Sequence, residues 1–115
     1  MRVCRRFEFE SAHLLPNHPG KCRNLHGHSY VLKVTVDRPV DPDSGMAIDF
    51  ADLKQIVKRE VVDLLDHRYI NDIMENPTAE VMVVWIWKRL DGTLPGLVEL
   101  ELHETRNCSV VYRGE

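Results

Sequence analysis

Long apolar runs are missing from this 115-residue sequence, and with them any segment able to cross a bilayer as a helix. Also missing are a basic tail, an arginine-rich tract and any block of like charge longer than a pair. With the histidines neutral the net charge is −3, so the electrostatic footprint of a nucleic-acid binder is lacking. Cysteine is scarce. There are three, an odd number with no C-x-x-C pair, which excludes a disulfide framework as the organising principle. The opening "MRVCRRFEFE" alternates charge and apolarity without an apolar h-region, so it does not read as a signal peptide, and a cytoplasmic protein is expected. No repeat, low-complexity tract or linker divides the chain. One domain, residues 1–115, is expected, and this length can form a core without staples.

What is present is periodicity. Residues 5–13 alternate, with Phe7 and Phe9 on one side and Arg6, Glu8 and Glu10 on the other, as in a half-buried strand. "NHPGKCRN" is loop. "HSYVLKVTV" is strand, with Tyr30, Leu32, Val34 and Val36 in phase, and "DRPVDPDSG" is a turn region. "DFADLKQIVKREVVDLL" predicts a helix capped by Asp49, with Phe50, Leu53, Val57, Val61 and Leu64 along one face. After the connection 66–77, Thr78 caps a second helix, "AEVMVVWIWKRL". Val81, Val84, Trp85 and Lys88 line one side of it, but it is apolar nearly all round and needs cover on more than one face. Val98, Leu100 and Leu102 mark a third strand and "NCSVVY" a fourth, with Arg106-Asn107 turning between them. Cys4 and Cys108 read as small buried hydrophobes in strands. Two strands, two helices and two strands predict an α+β fold: an antiparallel sheet, helices on one face, and two open edges that invite pairing with another chain.

Strand phase also places the histidines. His26 and His28 continue the phase of Tyr30 and Leu32, and His13 that of Phe7 and Phe9. If the first two strands form a hairpin around the 17–25 loop, all three imidazoles converge at one end of the sheet. Three neutral imidazoles suit zinc and leave a fourth position for water or substrate, although iron, nickel or copper also accept imidazole.

Three further positions are chemically unusual. Cys22 is either a fourth zinc ligand that closes the site or a free thiol beside the metal, a thiolate base flanked by Lys21 and Arg23. The absence of a second cysteine nearby favours the free thiol. Glu104 shares the phase of Leu100 and Leu102. It either turns to solvent at the strand end or lies on the apolar face, where a carboxylate needs a polar partner. Asp66 and His67 diverge if both are helical and can interact only once the helix has ended. His18 and His103 read as surface residues.

The motifs "FEFESAHLLP", "CRNLHGHSY", "GMAIDFADLK", "LDHRYIND", "NPTAE" and "ELHET" stand in one order over nearly the whole chain. In these the chain resembles the 6-pyruvoyltetrahydropterin synthase family, and within it the bacterial and archaeal carboxy-forming branch of queuosine synthesis. The resemblance implies His13, His26 and His28 as zinc ligands, Cys22 as catalytic thiol and Asp66 with His67 as acid–base pair. It implies Glu104 as the pterin anchor, grouped with the catalytic relay, and Thr78 as a pterin contact. The implied fold is the tunnelling fold: ββααββ subunits pairing edge to edge as trimers in a twelve-stranded barrel, two trimers forming a homohexamer. Sites shared between subunits would let His67 and Glu104 serve a zinc held by another chain.

The implied reaction is that of a zinc-dependent lyase. It converts 7,8-dihydroneopterin triphosphate to 6-carboxy-5,6,7,8-tetrahydropterin and releases acetaldehyde and triphosphate; from charge and position alone, Lys21 and Arg23 are expected to meet the triphosphate. Three residues separate Cys22 from His26, as in the carboxy-forming branch, whereas the animal pyruvoyl-forming enzymes have two more. A further branch carries glutamate in this region and leans toward aldolase-like cleavage. One departure stands out: Val81 occupies the asparagine position of the usual P-T-x-E-N. Pyruvoyl or sepiapterin-type chemistry is the alternative within the enzyme class. A non-catalytic zinc-stabilised oligomer, its site closed by Cys22, is the alternative outside it.

Overall fold

A computed structural model of the chain describes residues 1–115. The sheet is built from β1 (Arg2–His13), β2 (His26–Asp37), β3 (Arg68–Tyr69), β4 (Leu97–Thr105) and β5 (Cys108–Tyr112), in the order β3-β1-β2-β4-β5. β1, β2, β4 and β5 are antiparallel neighbours, and β3 runs parallel to β1 over two residues. β3 lies inside the stretch read from sequence as a connection, so the sheet has five strands rather than four. Two residues are too short for a period to show.

Strand alternation segregates the faces as the phase argument requires. Phe7 and Phe9 of β1 meet Leu32 and Tyr30 of β2, and Leu100 and Leu102 of β4 meet Val34 and Leu32. These side chains form the core with the helices, while Arg6, Glu8 and Lys33 lie on the other face. Cys4 belongs to that polar phase and is exposed. Cys108 opens the edge strand and is exposed too, so neither is the buried hydrophobe expected from composition.

The first helical run comprises α1 (Phe50–Val57), a π-helical turn (Lys58–Val62) and the single turn α2 (Asp63–Leu65). Asp49 accepts from the Ala51 N–H at 2.7 Å and caps it. The wider π turn shifts the apolar stripe by one position: Leu53, Val57, Val61 and Leu65 are fully buried, whereas Leu64 lies at the surface and Phe50 is 60% exposed. α3 (Ala79–Asp91) is rotated from the expected face. It buries Met82, Val83, Ile86 and Leu90 and leaves Val81 41% exposed. A helix apolar all round gives no unique stripe. The choice is made by contact with the sheet, against which Val84, Trp85 and Trp87 add partial cover.

This assignment of faces is open to measurement. Ile86→Ala should lower stability in urea unfolding by about 2–5 kcal/mol, and Val81→Ala by under about 1 kcal/mol. Equal losses would mean that α3 sits the other way round.

Candidate metal centre and active site

The β1–β2 hairpin sets His13 opposite His26, and His28 projects two residues further on. Ring centroids lie 4.6 Å (His13–His26), 5.0 Å (His13–His28) and 4.9 Å (His26–His28) apart. One nitrogen from each ring falls within 4.8 Å of the others. His13 is fully buried, and the other two rings are partly covered. The convergence expected from strand phase is therefore present.

Two backbone carbonyls decide how the rings are protonated. His13 Nδ1 lies 2.9 Å from the Pro77 oxygen, and His26 Nδ1 lies 2.7 Å from the Asn24 oxygen. A carbonyl only accepts, so each Nδ1 carries the hydrogen and each neutral ring presents Nε2 as a bare lone pair. Those two Nε2 atoms face each other at 3.0 Å. Lone pairs at that separation repel unless positive charge lies between them. His28 Nε2 is buried and has no hydrogen-bond partner. Burial pushes the pKa values of His13 and His28 below the usual 6.5, against the opposing pull of Glu104 and, for His13, the Pro77 hydrogen bond. A shared proton is thus disfavoured near neutrality. Neutral rings with convergent lone pairs are what a divalent cation requires, and these residues fit zinc.

Glu104 turns inward rather than to solvent. Its oxygens lie 3.8 Å from His13 Nε2 and 3.7 Å from His28 Nε2, beyond hydrogen-bond range. It therefore stands beside the imidazoles of its own chain. A cleft of about 370 Å³ opens next to it, lined by Leu15, Thr78, Glu80, Ser109 and Val110. Thr78 Oγ1 accepts from the Val81 N–H at 3.1 Å, so the cap survives the valine substitution and the hydroxyl proton stays free to donate into the cleft.

Cys22 sits half-buried in a 3-10 turn, Lys21–Arg23. Its carbonyl accepts from the Leu15 N–H at 2.9 Å, which ties the loop back to the end of β1. Its sulfur is not among the clustered ligand atoms, which speaks for the free-thiol reading.

The helical run ends at Leu65, and Asp66 is extended, so the condition for an Asp66–His67 contact is met. Asp66 Oδ1 lies 3.0 Å from His67 Nδ1 and accepts from the Glu10 N–H at 2.9 Å. The Glu10 N–H, with His67 adding to it, holds the Asp66 pKa below its usual range and keeps the group a carboxylate. His67 has φ of 56°, a left-handed conformation that non-glycine residues seldom adopt; its N–H donates to the Glu10 carbonyl at 2.6 Å. The ring is 79% exposed and lines a separate cleft of about 460 Å³ with Glu10, His28, Ser29 and Arg68. Within one chain, then, the dyad does not share the Glu104 cleft.

Sequence reasoning missed Tyr30 as part of the site. It is fully buried, and its hydroxyl lies 3.3 Å from His13 Nδ1; burial, aided by Glu104, raises its pKa and keeps it protonated. The signal was its place two residues beyond His28. The Pro77 and Asn24 carbonyls left no signal, because backbone acceptors have no residue type.

Residues 2–115 match the family model described as 6-pyruvoyl tetrahydropterin synthase. The chain is 41% identical over 117 residues to a 6-carboxy-5,6,7,8-tetrahydropterin synthase from Synechocystis sp., covering 96% of this chain and 91% of that protein. It is 35% identical over 135 residues to the 6-pyruvoyl tetrahydrobiopterin synthase of Homo sapiens, covering 99% and 92%. Its fold superposes on the structure of Caenorhabditis elegans 6-pyruvoyl tetrahydropterin synthase with a TM-score of 0.90 at 30% identity, covering 100% and 96%.

The depressed histidine pKa values carry a sign. Below the unfolded value of 6.5 the unfolded chain binds more protons at these positions, so stability is fully present above 6.5 and is lost as pH falls toward the folded values. The melting temperature of chelator-treated protein should therefore drop as pH is lowered through 6.5, and His28→Gln should flatten that slope. An unchanged slope in the variant would contradict the assignment.

Proposed function

The chain belongs to the 6-pyruvoyl tetrahydropterin synthase family, and from that premise we propose that it is a zinc-dependent lyase of the carboxy-forming kind. It converts 7,8-dihydroneopterin triphosphate to 6-carboxy-5,6,7,8-tetrahydropterin, with loss of acetaldehyde and triphosphate, in queuosine synthesis. The observation that carries this reading is the facing pair of Nε2 lone pairs, with Glu104 beside His13 and His28: a cation site next to a cleft of about 370 Å³ that the Glu104 carboxylate lines. The three-residue spacing from Cys22 to His26 favours the carboxy product over the pyruvoyl one.

His13, His26 and His28 would hold the ion, which when bound supplies Lewis-acid polarisation of the substrate's side-chain oxygens. Glu104 accepts hydrogen bonds from the pterin amide and amino N–H groups, a charge-assisted pairing, and Thr78 donates from the cleft wall. Cys22 thiolate takes the proton from the side-chain carbon next to the ring. His67, oriented by Asp66, moves the second proton. Lys21 and Arg23, both exposed and cationic, would meet the triphosphate.

An oligomer completes this arrangement. On the side away from β2, β1 is paired only at Ser11 and Ala12, and β5 forms the other edge of the sheet, so both edges are available to neighbouring copies. In a trimer closed through these edges, and a hexamer of two trimers, the exposed His67 of one copy meets the metal site of another.

Zinc-loaded protein incubated with 7,8-dihydroneopterin triphosphate should yield the carboxy product by mass, together with acetaldehyde. A pyruvoyl product without acetaldehyde would overturn the assignment. Cys22→Ala should lower kcat by about 10²–10⁴ with zinc content intact. Turnover within a few-fold of the parent would remove Cys22 from the role of base.

A further inference from the structure

We propose that Asn71 is a positioning residue for the metal centre, acting on His13 through the backbone of Leu14 and the carbonyl of Pro77; this rests on the zinc reading above. The pairing of β1 with β3 stops at Ala12, and its pairing with β2 stops at His13. Leu14, the next residue, would leave both backbone polar groups without a partner as the chain exits the sheet. One side chain supplies both. Asn71 Oδ1 accepts from the Leu14 N–H at 2.9 Å, and Asn71 Nδ2 donates to the Leu14 carbonyl at 2.9 Å. A primary amide offers a donor and an acceptor in one plane and so imitates the next peptide of a paired strand. Aspartate cannot donate, and alanine does neither.

The clamp reaches the imidazole by a second route. Nδ2 also approaches the Glu75 carbonyl at 3.4 Å, which folds the segment after Asn71 back on itself. That segment ends at buried Pro77, whose carbonyl accepts from His13 Nδ1. A closed circuit results: Leu14 to Asn71 by its amide, Asn71 to Pro77 along the chain, Pro77 to the His13 ring, and His13 back to Leu14 through the backbone. The tautomer and tilt of His13 are set inside this circuit. Releasing Asn71 frees the Pro77 carbonyl to move relative to the ring, so Nε2 no longer holds its aim. The same segment carries the Asp66–His67 pair before it and Thr78 just after it, so one clamp registers three parts of the site.

The test compares zinc affinity and ring tautomer with stability. For the parent, Asn71→Asp and Asn71→Ala, zinc affinity is measured by competition with a chromophoric chelator. Imidazole tautomers of the metal-free proteins are read from long-range ¹H–¹⁵N spectra. Leu94→Ala, at a fully buried position in the loop between α3 and β4, serves as a variant weakened away from the clamp. Both Asn71 variants should weaken zinc binding about tenfold or more and show mixed tautomers at His13, while Leu94→Ala keeps the parental affinity. Zinc affinity within about twofold of the parent, with the Nδ1–H tautomer intact, would overturn the proposal, as would an equal weakening in Leu94→Ala. A parent that binds no zinc would refute the zinc reading instead, and the tautomer spectra would then decide the clamp alone.

Discussion

The site depends on a repulsion. Two carbonyl oxygens, from Pro77 and Asn24, each take the Nδ1 hydrogen of an imidazole and so turn two bare Nε2 atoms toward each other at 3.0 Å. A neutral pair cannot relieve that by itself, and burial disfavours the proton that could. The third ring adds a buried nitrogen with no partner, and Glu104 brings negative charge to within 3.8 Å without bonding to any of them. Each of these features costs stability in an empty site, and each becomes favourable when a cation is shared among the three nitrogens.

The rest of the fold keeps that arrangement from relaxing. β1 ends at His13 and is held there from both sides: by β2 through the hairpin, and by the segment from Leu65 to Thr78 on its outer edge. Ser11 Oγ donates to the Leu65 carbonyl, the backbone of Glu10 takes Asp66 and His67, and Asn71 takes Leu14. After the π turn the helical run stops at Leu65, and Asp66 leaves in extended form and reaches the strand. Apolar burial beneath, from Phe9 and Tyr30 stacked at 5.0 Å, gives the hairpin end a rigid floor.

The parts of this that rest on a period were legible in the sequence. Alternation in β1 and β2 placed His13, His26 and His28 on one face, because side chains two apart on a regular strand share a face, whereas alternation in β4 left Glu104 open between solvent and the apolar face. Helix faces were less legible. Leu64 was chosen over Leu65 because a π turn adds a residue that no periodic template includes, and Val81 over Met82 because α3 is apolar on every side. Cys4 misled because residue type outweighed phase, and Cys108 because it opens the edge strand, where a residue in phase with Val110 and Tyr112 still lies exposed. The tautomers were invisible, since carbonyl groups from Pro77 and Asn24 set them and every residue has a carbonyl. His67 lines a cleft separate from that of Glu104, and no strand or helix period encodes that separation.

X-ray absorption at the zinc edge of the loaded protein tests the central claim most directly. The account predicts a first shell of light atoms only, with imidazole nitrogens at about 2.0–2.1 Å and the outer scattering of three rings, plus one exchangeable oxygen. A sulfur scatterer at about 2.3 Å would mean that Cys22 closes the site, and fewer than three imidazoles would mean that the hairpin does not grip the ion as described.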